Sequence, residues 1–390
     1  MTVVLSGLDV LLGRLQSLLR GQSVGLLCHQ ASVTRSLAHA AEALAHLKGV
    51  CLQRLFAPEH GLTGAAQDHA RIAHERDALT GLPVLSLYGH RLDPEPGALD
   101  GLDALVVDLQ DVGSRYYTFN WTMVLAMKSA ARVGLPVIVL DRPNPLGGER
   151  LEGNWPEAGF TSFVGLYPLP IRHGMTIGEL AAYLNDTHGL GCDLTVVPML
   201  GWKRRMRWED TGLPWVAPSP NMPTPDTARV YPGGCLIEGT NLSEGRGTTR
   251  PFEWIGAPFL HGPDLARALE RRRLPGVRFR AAGFEPAFHK WKGQRCGGVQ
   301  VHVTDAARFK PFATYLAIIA EARRQAPRYF RWRRPPYEFE RVRLPIDLLC
   351  GGAAIRHALA RGTPTARLEA SWRRDLVRFA RKRRPYLLYS

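Results

Sequence analysis

The chain has 390 residues, 45% hydrophobic and 22% charged, with a net charge of +15. That length and balance suit a globular protein of two domains with a sizeable core. No apolar run approaches the roughly 20 residues of a membrane span, so neither a spanning segment nor a membrane partner is expected.

Residues 1–21 carry Leu8, Leu11, Leu12, Leu15, Leu18 and Leu19 at helical spacing, interrupted by Asp9, Arg14 and Gln16. This predicts an amphipathic helix, not a secretory signal. A cytoplasmic location is expected unless a leader has been removed. Residues 23–28 read as a first strand, followed by His29-Gln30-Ala31-Ser32. Residues 36–47 read as an alanine-rich helix. Residues 50–56 read as a second strand, broken by Pro58-Glu59-His60-Gly61. A third strand over 83–87 ends at Tyr88-Gly89-His90, and a fourth over 104–109 ends at Gln110-Asp111-Val112-Gly113-Ser114-Arg115-Tyr116-Tyr117. A helix over 119–132 leads to a fifth strand over 136–140 and to Asp141-Arg142-Pro143-Asn144.

Strands alternating with helices predict an α/β fold, a Rossmann-like parallel sheet covered on both faces. All carboxyl ends of such a sheet lie along one edge, where the binding crevice forms. The polar groups after the five strands therefore converge on one rim. No G-x-G-x-x-G follows the first strand and no phosphate-binding loop occurs, so no nucleotide cofactor is expected and redox chemistry is disfavoured.

The middle of the chain is less regular. Thr176 and Glu179 form a capping box for a helix through Leu184, which explains both residues structurally. His173-Gly174, just ahead of the cap, has no such explanation, and a helix start could take an anion. Residues 193–198 read as a strand, and Pro218-Ser219-Pro220-Asn221-Met222-Pro223 as a rigid loop serving as a site wall or domain connector.

From about residue 231 a smaller α/β domain is the natural partition. That gives residues 1–230 as the Rossmann-like domain and 231–390 as an auxiliary domain. Residues 238–252 are the densest polar and glycine-rich cluster, holding Glu238, Asn241, Glu244 and Arg246. The cluster reads as a ligand clamp rather than a flexible turn. Strands are predicted over 277–281 and 298–303, and helices over 312–323, 346–359 and 368–381. Residues 331–390 carry fifteen Lys and Arg against five Asp and Glu. Such a region could attract an anionic polymer. However, Trp372, Leu376, Val377 and Phe379 interleave at helical spacing. That favours an amphipathic helix with a solvated basic face, and no nucleic-acid motif accompanies it.

Chemistry narrows the choice. Glu59, Asp111, Glu238 and Glu244 each sit at a glycine-bounded turn, as paired carboxylates for glycoside hydrolysis would. Tyr88, Tyr116, Tyr117, Trp121, Phe252 and Trp254 suit the apolar faces of a sugar, although some of them would be core. His29, His60, His69, His74, His90 and His173 lack metal-ligand spacing, so no metal is expected. Six scattered cysteines form no C-x-x-C pair and read as free, mostly buried thiols. No G-x-S-x-G elbow supports a serine nucleophile. Arg115, Arg142 and Arg246 each stand at a motif turn, where a guanidinium reads a carboxylate or forms a structural ion pair.

Six ordered motifs carry a resemblance: LFAPEHGLTG (55–64), VVDLQDVGSRYYTF (106–119), LDRPNPLGG (140–148), IRHGMT (171–176), PSPNMPT (218–224) and EGTNLSEGRGTTRPFE (238–253). The chain resembles the NamZ-type exo-β-N-acetylmuramidases nearly end to end. The resemblance implies an active-site cleft between a Rossmann-like domain and an auxiliary domain. It implies removal of β-1,4-linked N-acetylmuramic acid from the non-reducing end of peptidoglycan fragments, in cell-wall turnover and recycling. It makes Glu59 the catalytic glutamate. The polar groups of the rim, the middle loops and the clamp, namely His60, Tyr88, Asp111, Arg115, Tyr117, Arg142, Asn144, His173, Asn221, Asn241 and Arg246, are expected as substrate contacts. The lactyl carboxylate of the substrate gives one of the three arginines a partner. A second catalytic group is expected in Glu238, Glu244 or the substrate's own acetamido group. The alternative is a non-catalytic muropeptide-binding protein.

Overall fold

The structure, a computed structural model, describes residues 3–67, 75–89 and 91–390, so His69, His74 and His90 lie outside the described residues. Helix α1 (Gly7–Arg14) opens with a capping box in which Ser6 and Asp9 satisfy each other's backbone N–H. It is shorter than its leucine spacing predicts, because residues 16–18 tighten into a 3-10 turn ahead of Gly21, at φ 79°. The remaining elements of the first half are β1 (Ser23–Cys28), α2 (Ala40–Ala45), β2 (Cys51–Ala57), β3 (Glu75–Arg76), β4 (Pro83–Ser86) and β5 (Ala104–Asp108). After them come α3 (Thr118–Arg132), β6 (Val137–Leu140), α4 (Ile177–Thr187), β7 (Leu194–Val197) and α5 (Trp208–Thr211).

The seven strands form one sheet in the order β3-β4-β2-β1-β5-β6-β7, parallel throughout except for β3. All five residues of β5 are buried, as a strand covered on both faces requires. Leu105 and Val107 pack into the cluster that includes Phe119, Met123 and Leu180, while Ala104 and Val106 face Leu8, Leu11 and Leu44 on the other side. From β1 the chain winds outward to β2 and β4, then returns to β1's other flank as β5. The switch point of the sheet therefore lies between β1 and β5.

The second half begins with α6 (Pro225–Gly234), capped by Thr224, and continues as a 3-10 turn through Gly239. A smaller antiparallel sheet, in the order β8-β10-β9, is built from β8 (Trp254–Ala257), β9 (Val277–Phe284) and β10 (Cys296–Val303). Around it lie α7 (Gly262–Arg271), α8 (Pro311–Gln325), α9 (Pro345–Cys350), α10 (Ala354–Ala360) and α11 (Thr365–Arg383). The single helix expected over 346–359 is two, because Gly351 takes a left-handed φ of 69° and ends α9. The basic α11 is amphipathic: Trp372 and Phe379 are buried, and the Phe379 ring meets Trp155 and Tyr183 of the first half. Val377, however, stays 49% exposed. All six cysteines are free, and Cys51 alone among them is exposed.

The C-terminal tail ends against Asp141, at the carboxyl end of β6. This buried carboxylate accepts N–H bonds from Arg142 (3.0 Å) and Gly178 (2.8 Å) and hydroxyl bonds from Thr176 (2.8 Å) and Tyr389. Burial outweighs those donors and pushes its carboxyl up to about 7. An acid whose proton affinity rises on folding takes up a proton there. Its contribution to stability is therefore progressively lost as pH climbs from about 4 to about 7. Asp141→Asn should gain stability relative to the parent as pH rises through that window. Thermal unfolding measured at pH 4.5, 6 and 8 checks this, and a difference that does not change with pH would contradict it.

Candidate active site

The crevice at the switch point is filled by the protein itself. His29, just past β1, is fully buried. Its Nε2 accepts the Gln110 N–H at 3.0 Å and its Nδ1–H donates to the Pro218 carbonyl at 3.2 Å. Burial, with Arg142 nearby, lowers its ring to about 3, so it is neutral and serves as a strut between the sheet and the proline-rich loop. The reactive groups gather instead beyond the ends of β2, β4 and β5.

Glu59 follows β2 by one turn. His60 beside it holds φ at 72°, unusual for a residue with a Cβ, and its Nδ1–H donates to the Ala66 carbonyl at 2.8 Å. His60 thus fastens the turn that presents Glu59. Glu59 is only 5% exposed, and Thr118, the first residue of α3, donates its hydroxyl to Oε2 at 2.8 Å. Tyr88, just past β4, carries its phenol near enough to Glu59 to feel that carboxylate. The same phenol donates to Oε2 of Glu338 at 3.4 Å, a residue 250 positions away. Burial and the two carboxylates push the Tyr88 phenol far above its ordinary range, so it keeps its proton.

An aromatic wall leads from Glu59 toward the second half. Phe119 meets Tyr117 at 4.8 Å between ring centroids, Tyr117 meets Tyr231 at 5.8 Å, and Tyr231 meets Phe252 at 5.0 Å. The Tyr117 hydroxyl lies beside Ser219 of the proline-rich loop, and burial pushes it well above its ordinary value. Asn221 of that loop donates to Gln67 at 3.2 Å and so ties the loop to the segment after Glu59.

At the far end of the wall the guanidinium of Arg246 lies 4.9 Å from the Phe252 ring centroid and donates to Glu238 at 2.7 Å and Glu244 at 3.1 Å. Glu238 also accepts from the Tyr337 hydroxyl at 2.8 Å. Glu244 faces Lys290 at 2.9 Å and His289 at 3.0 Å. Burial alone would raise the Glu244 carboxyl, but Lys290, His289 and Arg246 together hold it well below the usual carboxylate range. The predicted clamp is therefore a stiff, internally paired knot.

Other expected contacts serve the scaffold. Arg115 is buried, and its Nη atoms donate to the carbonyls of Asn154 (2.6 Å), Leu169 (3.0 Å) and Leu349 (2.6 Å). Burial lowers its guanidinium to about 10, which leaves it charged at neutral pH. Arg142 forms a two-pronged buried pair with Asp108 and also reaches the Val33 carbonyl. Asn144 bridges Leu146 N–H and the Met175 carbonyl, both at 2.9 Å, directly over Gly113. A Cβ on Gly113, at φ 76°, would fall 2.4 Å from the Asn144 oxygen, which is why that position is glycine. Asp111 accepts from Gly113 N–H and Asn120, and its Oδ2 lies 3.3 Å from His173 Nε2. His173 Nδ1 accepts the Met175 N–H, so its hydrogen is on Nε2, facing Asp111. Asn241 joins Tyr329 and Arg331 within the second half. Of the aromatic candidates, Tyr116, Trp121 and Phe252 are wholly buried core rings.

The structure thus brings together Glu59, Tyr88, Tyr117, Glu238 and Arg246. It adds Thr118, Tyr337 and Glu338, which sequence reasoning missed. Thr118 stands one residue ahead of the helix expected over 119–132, and Glu338 follows Pro335-Pro336-Tyr337 with no glycine-bounded turn to single it out.

Residues 24–226 match the N-terminal part, and residues 229–389 the C-terminal part, of the family described as exo-beta-N-acetylmuramidase NamZ. The chain is 44% identical over 386 residues to the peptidoglycan beta-N-acetylmuramidase NamZ of Bacillus subtilis (strain 168), covering 99% of this chain and 91% of that protein. Two crystal structures of DUF1343 family proteins from Bacteroides fragilis NCTC 9343 share its fold. The first has a TM-score of 0.90 at 35% identity, with all of both chains covered. The second has a TM-score of 0.78 at 28% identity, with 99% of both covered.

Proposed function

The chain belongs to the NamZ family of exo-β-N-acetylmuramidases, a glycoside hydrolase that releases N-acetylmuramic acid from peptidoglycan fragments, and we propose that Glu59 is its general acid. The choice rests on one contrast among the buried carboxylates. A general acid must hold a proton at the working pH. Glu244 is fastened to three cationic or cation-forming side chains and stays ionised. Glu238 is likewise paired with Arg246. Glu59, by contrast, forms no ion pair among the described residues, and its Oε2 accepts the Thr118 hydroxyl at 2.8 Å.

In this reading Glu59 gives its proton to the glycosidic oxygen as that oxygen leaves N-acetylmuramic acid. Ring contacts from Phe119 through Tyr117 and Tyr231 to Phe252 connect the side that holds the acid with Arg246. The guanidinium of Arg246, paired with Glu238 and Glu244 beside the Phe252 ring, reads the lactyl carboxylate in this proposal, because it stands at the end of the chain of rings that starts next to Glu59. Residues 1–230 carry the acid, and residues 231–390 carry the anion reader and close the cleft. Mass analysis of products from a muramic acid–β-1,4–N-acetylglucosamine disaccharide tests the reading. Both free sugars are expected. An intact disaccharide, or cleavage only of the reversed disaccharide with N-acetylglucosamine at the non-reducing end, would overturn it.

A further inference from the structure

We propose that Phe339, backed by Tyr88 and Phe163, is the surface on which the leaving-group sugar stacks, the N-acetylglucosamine ring on the far side of the bond that Glu59 addresses. The proposal rests on the reading of Glu59 as the acid and Arg246 as the lactyl reader, and adds a specificity-determining residue from the second half of the chain.

The first observation is the ring cluster. Among the described residues, Phe288, Tyr329 and Phe339 are the exposed large aromatic side chains. Tyr329 stacks on Phe259, within the second half. Phe339 instead meets two rings of the first half. Its centroid lies 5.4 Å from Tyr88 and 6.1 Å from Phe163, which are themselves 6.1 Å apart. Tyr88 and Phe163 are both buried, whereas Phe339 is 52% exposed. A lone exposed ring needs no explanation. Here a buried aromatic base holds one ring with a face left open.

The second observation is the turn that presents it. Tyr337 and Glu340 exchange both backbone hydrogen bonds at 2.9 Å, and between them Glu338 and Phe339 hold φ at 44° and 68°. Positive φ at both central positions of a two-residue turn is ordinarily left to Asn and Gly. A glutamate and a phenylalanine adopt it at a conformational cost. Side chains offset that cost. Tyr337 donates to Glu238 at 2.8 Å, and Glu338 accepts from Tyr88 at 3.4 Å. The two bonds fix the turn on both halves of the molecule, with Phe339 at its tip.

The third observation is the strand order. Glu59 follows β2, Tyr88 follows β4 and Tyr117 follows β5, and the sheet runs β4-β2-β1-β5. Leu87 N–H bonds the Ala57 carbonyl at 2.8 Å, so the chain leaves β2 and β4 side by side. The strand end that bears Glu59 therefore lies between those of Tyr88 and Tyr117. On the Tyr117 side the rings lead to Arg246, where the lactyl group of N-acetylmuramic acid is placed. The sugar beyond the scissile bond then falls on the Tyr88 side, against Phe339. Its apolar C–H face and the open ring shed water together.

The test compares kcat/KM on the muramic acid–N-acetylglucosamine disaccharide with kcat/KM on the methyl β-glycoside of N-acetylmuramic acid, whose leaving group has no ring. In Phe339→Ala the ratio of disaccharide to methyl glycoside should fall by about tenfold, the size expected for losing burial of one ring face. Phe339→Tyr keeps that face and should hold the parental ratio. Phe339→Leu, which loses the flat face but keeps apolar bulk over Tyr88 and Phe163, supplies the measurement if Phe339→Ala does not fold. A parental ratio in the ring-less variant, or a fall that Phe339→Tyr shares in full, overturns the proposal. Failure of the Glu59 reading shows separately, as an equal loss in Glu59→Gln for good and poor leaving groups.

Discussion

Glu59→Gln is expected to lower kcat/KM on the muramic acid–N-acetylglucosamine disaccharide by about 10²- to 10⁴-fold, the range that loss of a general acid produces. The amide keeps the shape of the carboxyl and can still accept from Thr118, which bonds Oε2 at 2.8 Å. The melting temperature should therefore stay close to that of the parent. The loss should depend on the leaving group. A sugar hydroxyl needs a proton to depart, whereas 4-nitrophenolate leaves nearly unaided. On a 4-nitrophenyl glycoside of N-acetylmuramic acid the same variant should keep most of its activity. Equal losses on both substrates would remove Glu59 from the acid role.

Arg246→Met is expected to affect both stability and selectivity. The guanidinium is paired with Glu238 and Glu244, and the three side chains are 10%, 7% and 1% exposed. Removing one partner of a buried ion pair typically costs about 3–5 kcal/mol, because the charge left behind has lost its counter-ion. The lower end applies here: Glu244 keeps Lys290 at 2.9 Å, and Glu238 keeps the Tyr337 hydroxyl at 2.8 Å. The variant should melt at lower temperature and lose preference for muramic acid glycosides over N-acetylglucosamine glycosides, which lack the lactyl carboxylate. Arg246→Lys keeps the charge but not the planar fork, so it should recover part of the stability and less of the preference. An unchanged melting curve with unchanged preference would contradict both roles.

The sheet was legible because its physics is local. Strands such as Ala104–Asp108 are buried on both faces, so they read as unbroken apolar runs, and polar turns mark their ends. The same logic placed Glu59 at the carboxyl edge of the sheet, two residues past β2. Helix boundaries that turn on one backbone angle were harder to read, as Gly351 shows by dividing the helix expected over 346–359. The arginines mark a different boundary. Arg115, Arg142 and Arg246 all occupy polar, glycine-containing turns, yet Arg115 meets backbone carbonyls and Arg142 meets Asp108 and a carbonyl. A guanidinium's partner is a three-dimensional fact, and the spacing of one motif does not carry it. Glu338 was out of reach for the same reason. Its meaning comes from Tyr88, 250 positions earlier, and nothing in Pro335-Pro336-Tyr337-Glu338 announces that meeting.

The most direct test of the account is a crystal structure of Glu59→Gln with the intact muramic acid–N-acetylglucosamine disaccharide bound. The account predicts the glycosidic oxygen within about 3.2 Å of the residue 59 side chain, a direct hydrogen bond. It also predicts the lactyl carboxylate on Arg246 and the sugar rings alongside Tyr117 and Phe339. A disaccharide seated elsewhere, or with its glycosidic oxygen turned away from residue 59, would contradict it.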